Sequence, residues 1–334
     1  MSKKVITFGE VMMRLSPPGY SKISQATSFE LVYGGGEANV AISCAYLGMK
    51  AAHVTRFPDN ALGKAATQFL RHHWLNTEHV LYGGNMLGKY FLEKGAGHRS
   101  SEVIYEREGS SFSLIEPSMV NWEHVLKDAD WFHWTGITPA ISEGAAMCCL
   151  EAIKTANRMG IKVSGDINSR KNMWKYGKTM QEVMPELVRN CDIVITSSYG
   201  IHEMFGLGEP GIKFRLSAKQ LMETFPRIDK VVGKTRKSIS ASHQQILGKM
   251  WNGETYIKTK TLNINHVIDR VGTGDAFASG LIYGLLHYDD DLQALNFASS
   301  ACALKHTVPG DVNMVSLENV ISLMEGDTSG EIKR

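Results

Sequence analysis

The chain has 334 residues, of which 43% are hydrophobic and 21% charged, with a formal net charge of +2. That is enough apolar material for one large core. The near-neutral balance excludes a polyanion-binding class such as nucleic-acid or anionic-membrane proteins, and no apolar run approaches the ~20 residues of a membrane helix. Five scattered cysteines (Cys44, Cys148, Cys149, Cys191 and Cys302) show neither CxxC nor zinc-type spacing, which fits reduced thiols in a cytoplasmic protein.

In chain order, the start is a short Lys3-Lys4 pair before an apolar stretch. Gly9, Glu10 and Arg14 interrupt that stretch, so it predicts a buried first strand at 5–8 and not a signal peptide. A helix follows at 39–47, closed by Gly48, then a strand at 51–54 and a helix at 61–72. Further on come a strand at 131–135, a helix at 143–159 closed by Gly160, and strands at 162–166, 192–196 and 230–232. Helices at 276–286 and 292–304 complete the pattern. Alternating strand and helix signals predict an α/β fold with a mainly parallel sheet, as one domain over 1–334. Segments 12–32 and 86–112 break the rhythm with alternating β-prone residues, as in Tyr90-Phe91-Leu92-Glu93 and Glu102-Val103-Ile104-Tyr105. They predict a small antiparallel lid standing apart from the core.

The strongest chemical signal is Asp269-Arg270-Val271-Gly272-Thr273-Gly274-Asp275, which runs into a helix with apolar residues at Phe277, Leu281 and Leu285. Glycines let a ligand approach the backbone, and the free N–H groups of a first helical turn form an anion hole favoured by the helix dipole. A carboxylate at Asp275 beside such a hole suits a base that accepts a hydroxyl proton; a helix start with an ordinary first-turn acid is the alternative. A second turn, Gly34-Gly35-Gly36-Glu37-Ala38-Asn39, also enters a helix, with Asn39 able to cap it or meet a ligand. Asn39 stands where a dinucleotide fingerprint needs its third glycine, so that class fails. Gly83 through Tyr90 approximates a P-loop, but Tyr90 replaces the Ser/Thr and no helix follows. Gly233-Lys234-Thr235 carries the end of that motif without its upstream glycine. His72-His73 and His202-Glu203 are not followed by a metal-ligand pattern.

Taken together, the two glycine turns resemble the signatures of the ribokinase-like (PfkB) carbohydrate kinase family, at family order and separation, with Gly48 and Gly63 in the expected later places. The resemblance implies a mainly parallel central sheet flanked by helices, a small β-sheet lid, ATP as donor and Mg²⁺ on its phosphates. It implies Gly272, Thr273 and Gly274 as the anion hole, Asp275 as the base and Arg270 reaching the transferred phosphate. It places the nucleotide near the helix at 292–304 and the Gly310 turn.

Within the family the chain is most similar to the 2-keto-3-deoxygluconate kinases, through 88–95, Val103-Ile104-Tyr105-Glu106-Arg107 and Asp166-Ile167-Asn168-Ser169-Arg170. That branch implies phosphorylation of 2-keto-3-deoxygluconate to its 6-phosphate. A sugar acid suits Arg107 and Arg170 as carboxylate forks, with Gly34, Gly35, Gly36, Asn39, Tyr90, Tyr105 and Asn168 around the sugar. The family's Asn-x-x-Glu after the strand at 192–196 is absent; Glu203 is only an approximate substitute, so no protein ligand is assigned to the metal. A fructokinase- or ribokinase-like enzyme for a neutral sugar and a non-catalytic sugar-binding regulator are the competing readings. Exposed lid strands that need cover suggest homo-oligomerisation through the lid.

Overall fold

A computed structural model describes residues 2–167, 170–208 and 211–328. The apolar runs predicted as strands form a ten-stranded sheet. Its order is Tyr256–Lys258, His243–Trp251, Lys230–Ser240, Ile193–Ile195, Lys162–Asp166, Trp131–Thr135, Lys4–Phe8, Lys50–Phe57 and Val80–Tyr82, with Leu262–Ile264 also on His243–Trp251. From Lys230–Ser240 to Val80–Tyr82 every neighbouring pair is parallel. The strands at that centre are buried on both faces, because helices cover each side; Val5, Ile6, Phe8, Phe132, Trp134, Val163 and Val194 are all inaccessible. The strand predicted at 230–232 continues to Ser240 and turns into an antiparallel hairpin.

Helix ends follow the capping signals. Asn60, Ser142 and Asp290 each accept first-turn backbone N–H groups with their side chains. The two glycine-led helices depart from this. Gly36–Tyr46 and Thr273–His287 begin at Gly35 and Gly272, neither of which supplies a side-chain cap. These two helices pack together, and Ser279 Oγ donates to Ser43 Oγ at 2.7 Å in the buried seam.

Segments 12–32 and 86–112 supply a separate four-stranded sheet ordered Glu30–Gly34, Met12–Ser16, Lys89–Glu93, Glu102–Glu106. The outer pairs are antiparallel, but its central pair, Met12–Ser16 with Lys89–Glu93, is parallel, which corrects the all-antiparallel expectation. Side-chain alternation is the same in both arrangements, and the two strands are joined by a long excursion through the main sheet. Met12, Tyr90 and Leu92 make the small apolar core of this sheet, with Val271 packed against it. The five cysteines are free and buried, and no helix among the described residues is long and apolar enough to cross a membrane.

Candidate active site

The carboxyl ends of the parallel strands, the two uncapped helix N-termini and the inner face of the second sheet enclose a cleft of about 1500 Å³. Open parallel sheets place ligand crevices at these strand ends. With no side-chain cap on either helix, the first-turn amides of Thr273–His287 remain for a ligand anion.

Gly272 has φ +77°, and a Cβ there would collide with the Asp311 carbonyl oxygen, so this turn accepts only glycine. Thr273 Oγ1 donates to the Arg270 carbonyl at 3.0 Å and Val271 N–H to Asp269 Oδ1 at 3.0 Å, which tightens the loop before the helix. Asp275 lies in the first turn on the cleft wall. Asn39 donates through Nδ2 to Asp275 Oδ2 at 2.7 Å and thereby ties the two glycine-led helices together at the site. Burial raises the Asp275 carboxyl to about 7; Asn39 and Lys234 pull it down, while the carboxylates of Asp166 and Glu37 push it up. Glu37 is itself held by Thr135 Oγ1 at 2.8 Å and Thr138 Oγ1 at 2.6 Å.

Beneath the turn lies a buried polar network. The Arg14 guanidinium donates to Asp269 Oδ2 and to Asp311 Oδ1, both at 2.7 Å. Asp311 also accepts the Tyr90 hydroxyl. A side chain at Gly34 would strike the Asp311 carboxylate, so close approach of the backbone is required there. Lys305 is buried, with Nζ donating to the carbonyls of Val308 and Gly310 at 2.9 Å each.

Of the residues singled out in the sequence, Gly34, Gly35, Gly36, Asn39, Tyr90, Tyr105, Arg107, Arg170, Arg270, Gly272, Thr273, Gly274 and Asp275 all line this cleft. Asn168 lies outside the described residues. Tyr90 presents its ring, since its hydroxyl is committed to Asp311, and Tyr105 sits beside it with ring centroids 5.7 Å apart. Arg107 pairs with the buried Glu10, and its buried Nε has no hydrogen-bond acceptor among the described residues. Gly310 does not line the cleft. Its N–H donates to Asp269 at 3.2 Å and its carbonyl accepts Lys305, so it braces the turn from behind. Glu203 is also away from the cleft, held by Lys171 and by Tyr199 Oη at 2.8 Å. Among the described residues no three His, Cys, Asp or Glu side chains converge on a metal-sized site. Sequence reasoning missed Lys234 and Arg236, which enter the cleft from Lys230–Ser240, and Glu37 and Asp166 beside the base. Period-two alternation puts Lys234 and Arg236 on one face of their strand, and the stretch Val232 to Arg236 corresponds to the family's segment near the nucleotide, but its wording differs there and no contact was assigned.

The pfkB family carbohydrate kinase model matches residues 2–317. The chain is 29% identical over 332 residues to a 2-dehydro-3-deoxygalactonokinase of Haloferax volcanii, covering 99% of each. It is 26% identical to a 2-dehydro-3-deoxygluconokinase of Thermoproteus tenax, covering 92% of this chain and 89% of that one. The crystal structure of a 2-dehydro-3-deoxygluconokinase from Thermotoga maritima superimposes with a TM-score of 0.92 at 38% identity, covering 97% of this chain and all of that one. A family match over nearly the whole chain, on a site with paired glycine turns and a carboxylate between them, makes this protein a carbohydrate kinase belonging to the pfkB family.

Proposed function

We propose that this kinase transfers the γ-phosphoryl group of ATP to the terminal hydroxyl of 2-keto-3-deoxygluconate (2-dehydro-3-deoxygluconate), giving the 6-phosphate, with the whole chain as one kinase domain and the second sheet as its lid. The observation that carries this reading is the Asp275 carboxylate, fixed by Asn39 at an uncapped helix N-terminus inside a cleft that also presents Arg107 and Arg170. Asp275 takes the hydroxyl proton as the sugar oxygen bonds to phosphorus, and the bond to the departing ADP breaks with its electron pair going to the β-phosphate oxygen. The first-turn amides of Gly272–Gly274 hold the equatorial oxygens of the group in flight. Arg107 and Arg170 both line the cleft and suit a substrate carboxylate, which a neutral sugar does not offer. Relatives named as kinases of keto-deoxy sugar acids favour the same class.

Because no described carboxylate cluster is built for a metal, the donor set fits Mg²⁺ carried mainly by the nucleotide phosphates and water, with Asp166 the nearest carboxylate to the base from the main sheet. When bound, such an ion neutralises phosphate charge.

An ADP-release assay across keto-deoxy gluconate, keto-deoxy galactonate, fructose and ribose tests the substrate. Turnover is expected on the acids, and Arg107→Ala and Arg170→Ala are each expected to raise KM for the acid by about tenfold or more, the scale of one charge-assisted hydrogen bond. Activity confined to the neutral sugars overturns the assignment. The base must be ionised, and its carboxyl lies at about 7. kcat/KM is therefore expected to fall about tenfold per unit as pH drops below that value and to level off above it. A profile flat down to pH 5 removes Asp275 from the role.

A further inference from the structure

We infer that Glu10 is a positioning residue for the sugar acid: its buried carboxylate, set where the chain crosses between the two sheets, fixes Arg107 in the cleft. The inference rests on the proposed function above, in which Arg107 meets the substrate carboxylate.

Among the described residues the chain passes between the main sheet and the second sheet four times, at 9–11, 35, 83–88 and 107–111. Glu10 belongs to the first passage and touches the other three. In the second, a Cβ on Gly35 would strike the Glu10 carbonyl oxygen. In the third, a Cβ on Gly88 would lie 2.7 Å from Glu10 Oε1. In the fourth, Arg107 donates through Nη2 to Glu10 Oε2, and the Ser110 hydroxyl donates to Oε1. Backbone bonds close the set: Met13 N–H donates to the Gly88 carbonyl at 2.9 Å, and Ser111 N–H to the Met86 carbonyl at 2.8 Å. One side chain, on a residue 4% exposed, therefore joins the passages that carry the second sheet.

Glu10 also lines the cleft. A carboxylate on that wall disfavours an anionic sugar and an anionic nucleotide alike, so its place there requires another cause. Arg107 supplies it. The other polar contact of its guanidinium is Nη1 against the Met173 sulfur at 3.9 Å, a weak acceptor three residues after Arg170. With Nη2 taken by Glu10, the guanidinium is pinned at one edge and turned toward the segment that carries Arg170.

Two effects of removing the Glu10 charge oppose each other. Unmasking Arg107 would draw an anion more strongly. Freeing it makes substrate binding order a long side chain and the 107–111 loop. The second effect is the larger in Glu10→Gln, because the amide has one acceptor oxygen for two donors. It must release Arg107 or Ser110, and it turns its own N–H groups toward the one released.

The test uses the full-length enzyme with ATP and the sugar panel above. Glu10→Gln is expected to raise the KM for the sugar acid by about fivefold or more, with kcat and the KM for ATP each within about threefold, since Glu10 acts through Arg107 and not on the phosphoryl group. The deciding readout is a cycle with Arg107→Ala. Once Arg107 is gone, Glu10→Gln is expected to change the KM by no more than about twofold, a coupling that a role in folding alone would not produce. Gly88→Ala is the second arm. It keeps every charge, displaces the Glu10 carboxylate through the close approach at Oε1, and is expected to raise the same KM, so it decides the matter even if Glu10→Gln does not fold. If the wild type takes the acids and Arg107→Ala raises their KM, the substrate reading stands. In that case the role of Glu10 is overturned by Glu10→Gln or Gly88→Ala with an unchanged or lowered KM, or by an effect of Glu10→Gln that adds in full to that of Arg107→Ala. Turnover by the wild type on neutral sugars alone sinks the substrate reading before any variant is made, and this role of Glu10 falls with it.

Discussion

Asp275→Asn is expected to fold, to bind both substrates and to turn over about 10²–10⁴-fold more slowly than the parent, the range that a positioned general base supplies. The amide keeps the shape and can still hydrogen-bond Asn39, which donates to Asp275 at 2.7 Å, but it cannot take a proton. The same substitution makes a distinguishing statement about stability. The folded-state carboxyl sits at about 7 against an ordinary value of 3.8, so the native state holds this proton more tightly than the unfolded chain does. Its favourable contribution is therefore complete below about pH 4 and is lost as pH rises to about 7. Above that, the wild-type site carries an ionised group in surroundings that disfavour it. The neutral amide escapes this cost, and its thermal midpoint at pH 8 is expected to equal or exceed the wild type's, with the difference vanishing at pH 4. An inactive variant with a lowered midpoint at pH 8 would mean that Asp275 is structural. Retained turnover would assign the base elsewhere.

The portion of the site legible in the sequence is the portion that is local. Gly272 through Asp275 is one contiguous turn entering a helix, and each residue's role follows from its place in that turn. The same holds for Gly34 through Asn39. The family resemblance put Asn39 around the sugar and Asp275 at its hydroxyl, but that the two side chains hydrogen-bond across 236 residues went unread, since nothing local links them. Lys234 was read as a P-loop fragment without its upstream glycine, and no contact was assigned to it, because alternation says which residues share a strand face but not which face looks into a cleft. Arg14 appeared as an interruption of an apolar stretch, since nothing local marks an arginine whose partners lie 255 and 297 residues away. In the fold, the helices Met180–Val188, Ser198–Phe205 and Phe214–Thr224 went unread. The first contains Pro185, and the third has charged residues through much of its length. The strand His243–Trp251 was missed for a related reason: its half-buried pattern is written largely in Gln, Gly and Lys, which are weak strand signals.

The arginine that the sequence presented as an interruption governs the second large effect. Arg14 is 2% exposed, bridges two buried carboxylates, and comes from the second sheet, whereas both carboxylates sit in loops beside the helix Thr273–His287 and after Asp291–Lys305. Arg14→Met leaves Asp269 and Asp311 without their hydrogen-bonded counter-charge, with only the ammonium of Lys305 nearby, and removing one partner of a buried pair costs about 3–5 kcal/mol. At about 2.1 cal/mol/K of unfolding entropy per residue, that is a fall in Tm of roughly 4–7 °C for a chain of this size. Arg14→Lys is expected to recover only part of it, because one ammonium cannot reproduce a planar fork on two carboxylates. The pH dependence has a definite sign. Burial raises the Asp311 carboxyl, and Arg14 pulls it back down. Without Arg14 the folded-state value rises further, so the variant gains most from acidification and its deficit against wild type narrows as pH falls. The functional consequence follows from what Asp311 touches. Its carbonyl packs under Gly272, its carboxylate abuts Gly34 and accepts the Tyr90 hydroxyl, so both glycine turns and the second sheet are positioned by this one residue. A displacement of about 1 Å at a catalytic turn can cost ~10²-fold in rate. Assayed well below its own midpoint, Arg14→Met is therefore expected to show a kcat depressed by at least tenfold. A variant that loses the stability but keeps full kcat would mean that the network supports the fold without positioning the anion hole.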